Sequence, residues 1–199
     1  MEKLGIIGGT FDPIHLAHVY IAELAKDSLN LDRVVFMVAG SPPHKTSKHI
    51  SDANIRYKMV ELAIMDEEGL EVSDYEIKEE GLSYTYKTLE YLNETDREIY
   101  FITGADCLMN IESWRNVSEI LSLCKFVVLT RPGIDNKKLM KQREYISNKY
   151  KSDIIFLEVT GRDMSSTEIR QKISKGEDVS EYLDAKVQKL IQDSNLYRG

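Results

Sequence analysis

Apolar residues fall along this chain in two alternating rhythms. Short, nearly continuous apolar runs rich in Val, Ile and Phe occupy Lys3–Gly8, Arg33–Ala39, Leu70–Tyr75, Glu98–Thr103, Lys125–Thr130 and Asp153–Leu157. Runs of this length and composition predict strands covered on both faces. Between them the apolar positions recur every three or four residues. That spacing predicts helices over His15–Ser28, Asp52–Met65, Thr85–Asn93, Val117–Leu123, Lys137–Tyr150, Ser166–Lys175 and Asp184–Asp193. Strands alternating with helices predict an α/β fold, a doubly wound parallel sheet with helices on both faces and a C-terminal helical segment. No repeat, low-complexity tract or linker divides the sequence. One domain over residues 1–199 is therefore expected, with a helical extension from about 164 to 199.

Charge and composition narrow the partners. The 26 Lys and Arg against 33 Asp and Glu leave a formal charge of −7, without a basic block. This argues against general nucleic-acid binding, and any anionic substrate requires cations gathered locally. No apolar run approaches the ~18 residues of a membrane span. Met1-Glu2-Lys3 leads directly into the first strand without a signal-type segment, so the cytoplasm is the expected location. Cys107 and Cys124 sit in apolar surroundings without metal-type spacing and read as buried thiols of a reducing compartment.

The densest chemistry lies in Gly8-Gly9-Thr10-Phe11-Asp12-Pro13-Ile14-His15-Leu16-Ala17-His18. A strand, a glycine turn and a helix start in this order build an anion site. Glycines admit backbone N–H groups to a phosphate, and the helix start adds a positive dipole end. His15 and His18, three residues apart, share one helix face and can donate to non-bridging oxygens as charge builds. Two plainer readings stand beside this one. The histidines could cap or pack the helix, or they could pair on a metal, although no third ligand stands at a suggestive spacing. Further on, Met164-Ser165-Ser166-Thr167-Glu168-Ile169-Arg170 opens another helix. Its hydroxyls and Glu168 suit a cap, and the same hydroxyls with Arg170 suit a polyphosphate cradle.

Four strand exits, after Ile7, Ala39, Thr103 and Thr130, send polar or cationic residues to one sheet edge. These are the histidine segment, the Gly40–His49 loop with Lys45, Gly104 and Asp106, and Arg131. Open α/β sheets bind ligands at the carboxyl edge. Trp114 is the only tryptophan, and its polar neighbourhood favours a site or the surface over the core. Asp74, Glu76, Glu79 and Glu80 read as a solvated face, and Lys137, Lys138 and Lys141 as helix surface. Arg56, Arg162 and Arg170 are all competent to meet phosphate, but only Arg170 stands in a motif.

The first segment resembles the opening signature of the nucleotidyltransferases related to class I tRNA synthetases, and Ser165–Arg170 resembles their Ser-Ser-Thr-x-Ile-Arg signature. Pro42-Pro43-His44-Lys45, Gly81-x-Ser83-Tyr84-Thr85-Tyr86, Phe101-Ile102-x-Gly104-Ala105-Asp106, Trp114 and Thr130-Arg131-Pro132-Gly133 follow in order. Together they resemble the bacterial nicotinate-nucleotide adenylyltransferases over essentially the whole chain. The resemblance implies a Rossmann-like fold and adenylyl transfer from ATP to nicotinate mononucleotide, a step of NAD biosynthesis, with Mg²⁺ accompanying ATP. It implies catalytic roles for His15, His18, Lys45 and Arg170. It places Gly8, Gly9, Thr10, Phe11, His18, Gly104, Asp106, Arg131, Ser165, Ser166, Thr167 and Arg170 around ATP. It places Thr10, Lys45, Thr85, Tyr86, Asp106 and Trp114 around the mononucleotide. No nucleic acid, membrane or protein-bound metal is expected, and a homo-oligomer is compatible with the sequence. Nicotinamide mononucleotide or phosphopantetheine as acceptor, or a silent nucleotide-binding module, are the alternatives.

Overall fold

Six strands form one parallel sheet: β1 (Glu2–Gly9), β2 (Arg33–Val38), β3 (Leu70–Ser73), β4 (Arg97–Gly104), β5 (Lys125–Thr130) and β6 (Ile154–Glu158). Their order is β3-β2-β1-β4-β5-β6, with every neighbouring pair parallel. The computed structural model describes residues 1–41, 50–79, 81–131, 136–161 and 164–198. Lys45, Glu80, Arg162, Pro42-Pro43-His44, Pro132 and Gly133, all singled out above, lie outside the described residues.

The period-two alternation of each strand sorts two cores. Leu4 and Ile6 of β1, Val35 and Met37 of β2, and Phe126 and Val128 of β5 face one layer. Ile7, Val34, Phe36 and Val127 face the other. Helices α1 (Leu16–Leu29), α2 (Ala53–Ile64), α8 (Ser166–Ser174) and α9 (Ala185–Asp193) cover the second layer. Helices α4 (Thr85–Leu92), α5 (Ala105–Asn110), α6 (Val117–Leu123) and α7 (Asn136–Tyr150) cover the first. This is the doubly wound, Rossmann-like arrangement that the alternation predicts. Among the described residues no helix is long and apolar enough to cross a membrane.

Boundaries moved where a side chain caps a helix. Asp52 and Asp184, read as the first helical residues, stand just outside. Each accepts hydrogen bonds from the first-turn N–H groups, Asn54 at 2.9 Å and Lys186 at 2.7 Å. The third strand is shorter than its apolar run suggests. It ends at Ser73, whose Oγ accepts the Tyr75 N–H at 3.2 Å, and the chain turns into a short helix, α3 (Tyr75–Lys78). The charged stretch there is not all solvated. Glu76 is half-buried, accepts the Thr88 hydroxyl at 2.5 Å, and burial pushes its pKa up. Helix α5 and the 3₁₀ turn Ile111–Ser113 carry too few periodic positions to be read in advance.

β1 lies in the middle of the sheet, with β2 on one side and β4 on the other. Connections leave these two strands in opposite directions, so a crevice opens beyond their carboxyl ends. That crevice positions the site.

Candidate active site

The loop from Gly9 to His15 leaves β1 into this crevice. Its shape is set by close packing. A Cβ on Gly9 would come within 2.6 Å of the Phe11 ring, so only glycine lets that ring lie against the strand end. Phe11 has a φ of 50°, which is unfavourable for an aromatic residue. Its ring is held there by edge contacts to Phe36 at 5.5 Å and to His18 at 5.2 Å. An aromatic residue kept in that conformation costs roughly 1–3 kcal/mol and persists only where its surroundings over-determine it.

The loop carbonyls are tied back to protein donors. Arg56, 1% exposed, donates to the carbonyls of Thr10 (2.7 Å), Ser51 (2.9 Å) and Gly40 (3.3 Å). Arg170 donates to the Asp12 carbonyl at 2.6 Å, and Ser166 Oγ to the Pro13 carbonyl at 2.8 Å. A planar trans peptide turns its N–H opposite to its carbonyl. Binding the Thr10 oxygen to Arg56 therefore directs the Phe11 N–H the other way. Arg56, one of the two candidate arginines outside any motif, is a buried brace. The two signatures, over 150 residues apart, meet directly.

The histidines do more than face one way. Their rings stack at 3.6 Å with 20° between planes. The His15 backbone N–H donates to His18 Nδ1 at 3.2 Å, so capping and the candidate chemistry are one arrangement. With Nδ1 accepting, the proton of neutral His18 lies on Nε2, which becomes a donor. Desolvation drives the His15 pKa down to about 4, and desolvation with the His15 neighbour drives His18 well below its usual value. Both rings are neutral near pH 7. His15 is 5% exposed, and its Nδ1 has no hydrogen-bond partner among the described residues. A buried polar atom in that state is costly until something supplies a partner. The helix start is less open than its sequence suggests, because the Leu16 N–H is already given to the Tyr182 carbonyl at 2.9 Å. The dipole and the imidazoles remain as the means of attracting an anion.

At the start of α8 the cap is formed. Ser165 and Glu168 form a reciprocal capping box, and Thr167 Oγ1 accepts from Arg170 at 3.3 Å. Gly104 ends β4 and caps α5, placing exposed Asp106 in the first turn at the crevice rim. Arg131 follows β5 at the same edge, exposed. Thr85 opens α4 with Tyr86 beside it, and Arg115 lies 5.1 Å over the Tyr84 ring, joining this helix start to the Trp114 segment. Trp114 is half-buried, with edge contacts to Phe101 (6.1 Å) and Phe126 (6.4 Å). Its segment is fixed by Glu112, which accepts from Lys149 at 2.5 Å and Tyr150 at 3.2 Å on α7.

Sequence reasoning missed the braces. Ser83 Oγ accepts from the Gly40 N–H at 3.1 Å and holds the β2 exit, where a Cβ on Gly40 would approach the Glu76 carbonyl to 2.2 Å. Nothing in the pattern around Arg56 or Ser83 announces these partners. Asp12 lies inside the first signature, but its carboxyl faces inward. It is 4% exposed and accepts from Ser51 N–H and the Tyr197 hydroxyl. Both thiols are structural: burial pushes Cys124 up to about 12 and raises Cys107 as well.

Comparison with known proteins agrees with this architecture. Residues 6–172 match the Cytidylyltransferase-like family. The "Probable nicotinate-nucleotide adenylyltransferase" of Clostridium novyi (strain NT) is 54% identical over 200 residues, spanning 100% of both chains. The protein of the same name from Clostridium tetani is 46% identical over 200 residues, again spanning 100% of both. Among solved structures, Plasmodium falciparum nicotinic acid mononucleotide adenylyltransferase complexed with NaAD superposes with a TM-score of 0.81 at 18% identity, covering 99% of this chain and 98% of that one. At that identity the structural match speaks for the fold alone, whereas the full-length clostridial relatives fix the family: the chain belongs to the nicotinate-nucleotide adenylyltransferases, within the Cytidylyltransferase-like family.

Proposed function

We infer that this chain transfers the adenylyl group of ATP to nicotinate mononucleotide, giving nicotinate adenine dinucleotide and pyrophosphate. One observation carries the reading. The glycine–histidine loop and the Ser165–Arg170 helix start are bonded together at the mouth of the β1/β4 crevice, as a polyphosphate site requires. The relatives' name supplies the acceptor.

The acceptor's phosphate oxygen attacks Pα of ATP, a new P–O bond forms, and the Pα–O–Pβ bond breaks as pyrophosphate leaves. The attacking oxygen is already anionic, so no protein nucleophile or general base is needed. Alignment and charge neutralisation carry the rate. His18, through Nε2–H, and His15 meet the α-phosphate oxygens. Loop N–H groups from Gly8 to Phe11 and the α8 start with Ser165, Ser166, Thr167 and Arg170 hold the outer phosphates, with Arg131 at the same end. Gly104 and Asp106 meet ribose hydroxyls. Thr10 and Lys45 face the acceptor phosphate, while Thr85, Tyr86 and Trp114 form the pyridine pocket.

Mg²⁺ enters with ATP. Among the described residues no three His, Cys, Asp or Glu side chains gather as a metal site. Held by ATP, the ion would shield charge on the leaving pyrophosphate. A homo-oligomer stays compatible with this reading, and the two free thiols fit a cytoplasmic setting. Pyrophosphate release with ATP and Mg²⁺ tests the reading, comparing nicotinate mononucleotide, nicotinamide mononucleotide and phosphopantetheine. Strong preference for the acid mononucleotide is expected. Turnover with phosphopantetheine alone would replace the acceptor, and silence with all three would refute adenylyl transfer.

A further inference from the structure

Tyr197 has no part in the reaction described above, yet it reaches the loop at the centre of it. Its hydroxyl donates to Asp12 Oδ1 at 2.5 Å across 185 residues of sequence. The other Asp12 oxygen accepts the Ser51 N–H at 3.2 Å, and the Asp12 main-chain carbonyl accepts Arg170 at 2.6 Å. Asp12 thus stands between Phe11, in its unfavourable conformation, and the histidine pair, and all three of its oxygens are bonded. The charged groups around this contact are Arg56 on α2, Arg170 on α8 and Asp12 itself. Burial and Asp12 raise the Tyr197 pKa, so its hydroxyl stays a donor across any ordinary assay. The ring packs beside Leu196 against the core under α1, α2 and α9.

We propose that Tyr197 is a positioning residue for adenylyl transfer: its hydroxyl holds the Asp12 carboxyl, and through it the Thr10–His15 loop, in the geometry the reacting phosphates require. The proposal rests on the function inferred above. Displacement of reacting groups by about 1 Å costs on the order of 100-fold in rate, so a brace at this point is felt in turnover before it is felt in stability.

Tyr197→Phe keeps the ring and removes the donor. Tyr100→Phe is the control, since Tyr100 also gives its hydroxyl to a carboxylate, Glu98 at 2.7 Å, on β4. Leu196→Ala removes packing beside Tyr197 without touching a hydrogen bond. Steady-state pyrophosphate release, thermal midpoints and the imidazole NMR signals of His15 and His18 are measured for each. For Tyr197→Phe, kcat is expected to fall about tenfold with both KM values within about twofold, and the two imidazole signals should move. Tyr100→Phe and Leu196→Ala should keep kcat, Leu196→Ala at a lowered thermal midpoint. A Tyr197→Phe variant with wild-type kcat and unmoved histidine signals overturns the proposal. So does a loss of kcat that Leu196→Ala reproduces at an equal loss of stability. If the wild-type protein releases no pyrophosphate, the functional reading fails by itself. The histidine signals then still decide whether Tyr197 sets the loop.

Discussion

The two edges of the sheet hold their charged side chains in opposite ways. At the amino edge cations meet carboxylates. Glu2 binds both Arg33 and Arg97 at 2.6 Å, Arg33 binds Glu71 at 2.5 Å, and Lys125 binds Glu98 at 2.6 Å. At the carboxyl edge, Arg56 and Arg170 donate to main-chain carbonyls instead. A carbonyl fixes a guanidinium in place without cancelling its charge, whereas a carboxylate does both. The first edge is neutralised and serves the fold. The second is rigid, with two guanidiniums around the one buried carboxyl of Asp12, and it faces the crevice with two neutral imidazoles that each keep an N–H to donate. In a chain of net charge −7, this is how a polyphosphate can be attracted locally.

Four substitutions and one change of pH would break or sharpen that contrast. The largest effect is expected at the carboxyl edge. His18→Ala should lower kcat about 100-fold, the cost of one donor to developing charge, with the mononucleotide KM within about twofold. Unchanged kcat would remove His18 from the transition state. Trp114→Ala should raise the mononucleotide KM about tenfold, or ~1.4 kcal/mol, and spare kcat, because stacking serves ground and transition states alike. A drop confined to kcat would contradict that assignment.

Acidification comes next. The His15 pKa is about 4 in the folded protein against 6.5 as the ordinary value. Between those values the unfolded chain takes a proton that the folded chain refuses, so stability should fall as pH drops from 6.5 to 4. Denaturation midpoints at pH 7 and 4.5 measure this, and His15→Asn should reduce the difference, with buried His18 supplying the remainder. The amino edge should respond least. Arg33 and Arg97 hold the Glu2 pKa below 4.5, so its contribution is present above that pH and disappears as pH falls through the lowered value. Glu2→Gln should cost less than about 1 kcal/mol at pH 7 and leave kcat alone. A large kcat effect there would mean that the two edges are not separate.

Much of this is legible in the sequence. The alternating rhythms gave the six strands in place, with Lys125–Thr130 and Val117–Leu123 matched to the residue. The signatures located the histidine pair and the α8 start because phosphate chemistry demands particular residue types at short spacing. Braces are another matter. Arg56, Ser83 and the Asp12 carboxyl act through partners up to 185 residues away, and local spacing carries no trace of such pairs. Glu76 was misread for the same reason: charge suggests solvent until Thr88 and the bend after β3 enclose it.

The bonds from Ser166, Arg170 and Tyr197 to the loop after β1 span 153, 158 and 185 residues. The sheet needs none of them to pair its strands, but the loop does. A molecule whose sheet has formed while α8 and the segment through Tyr197 have come away keeps most of its native architecture and has no working site. Such partial openings occur in every folded protein, at a lower free energy than global unfolding. Turnover therefore counts the molecules in which distant parts of the sequence are docked at once, and heat should silence this protein before it melts it.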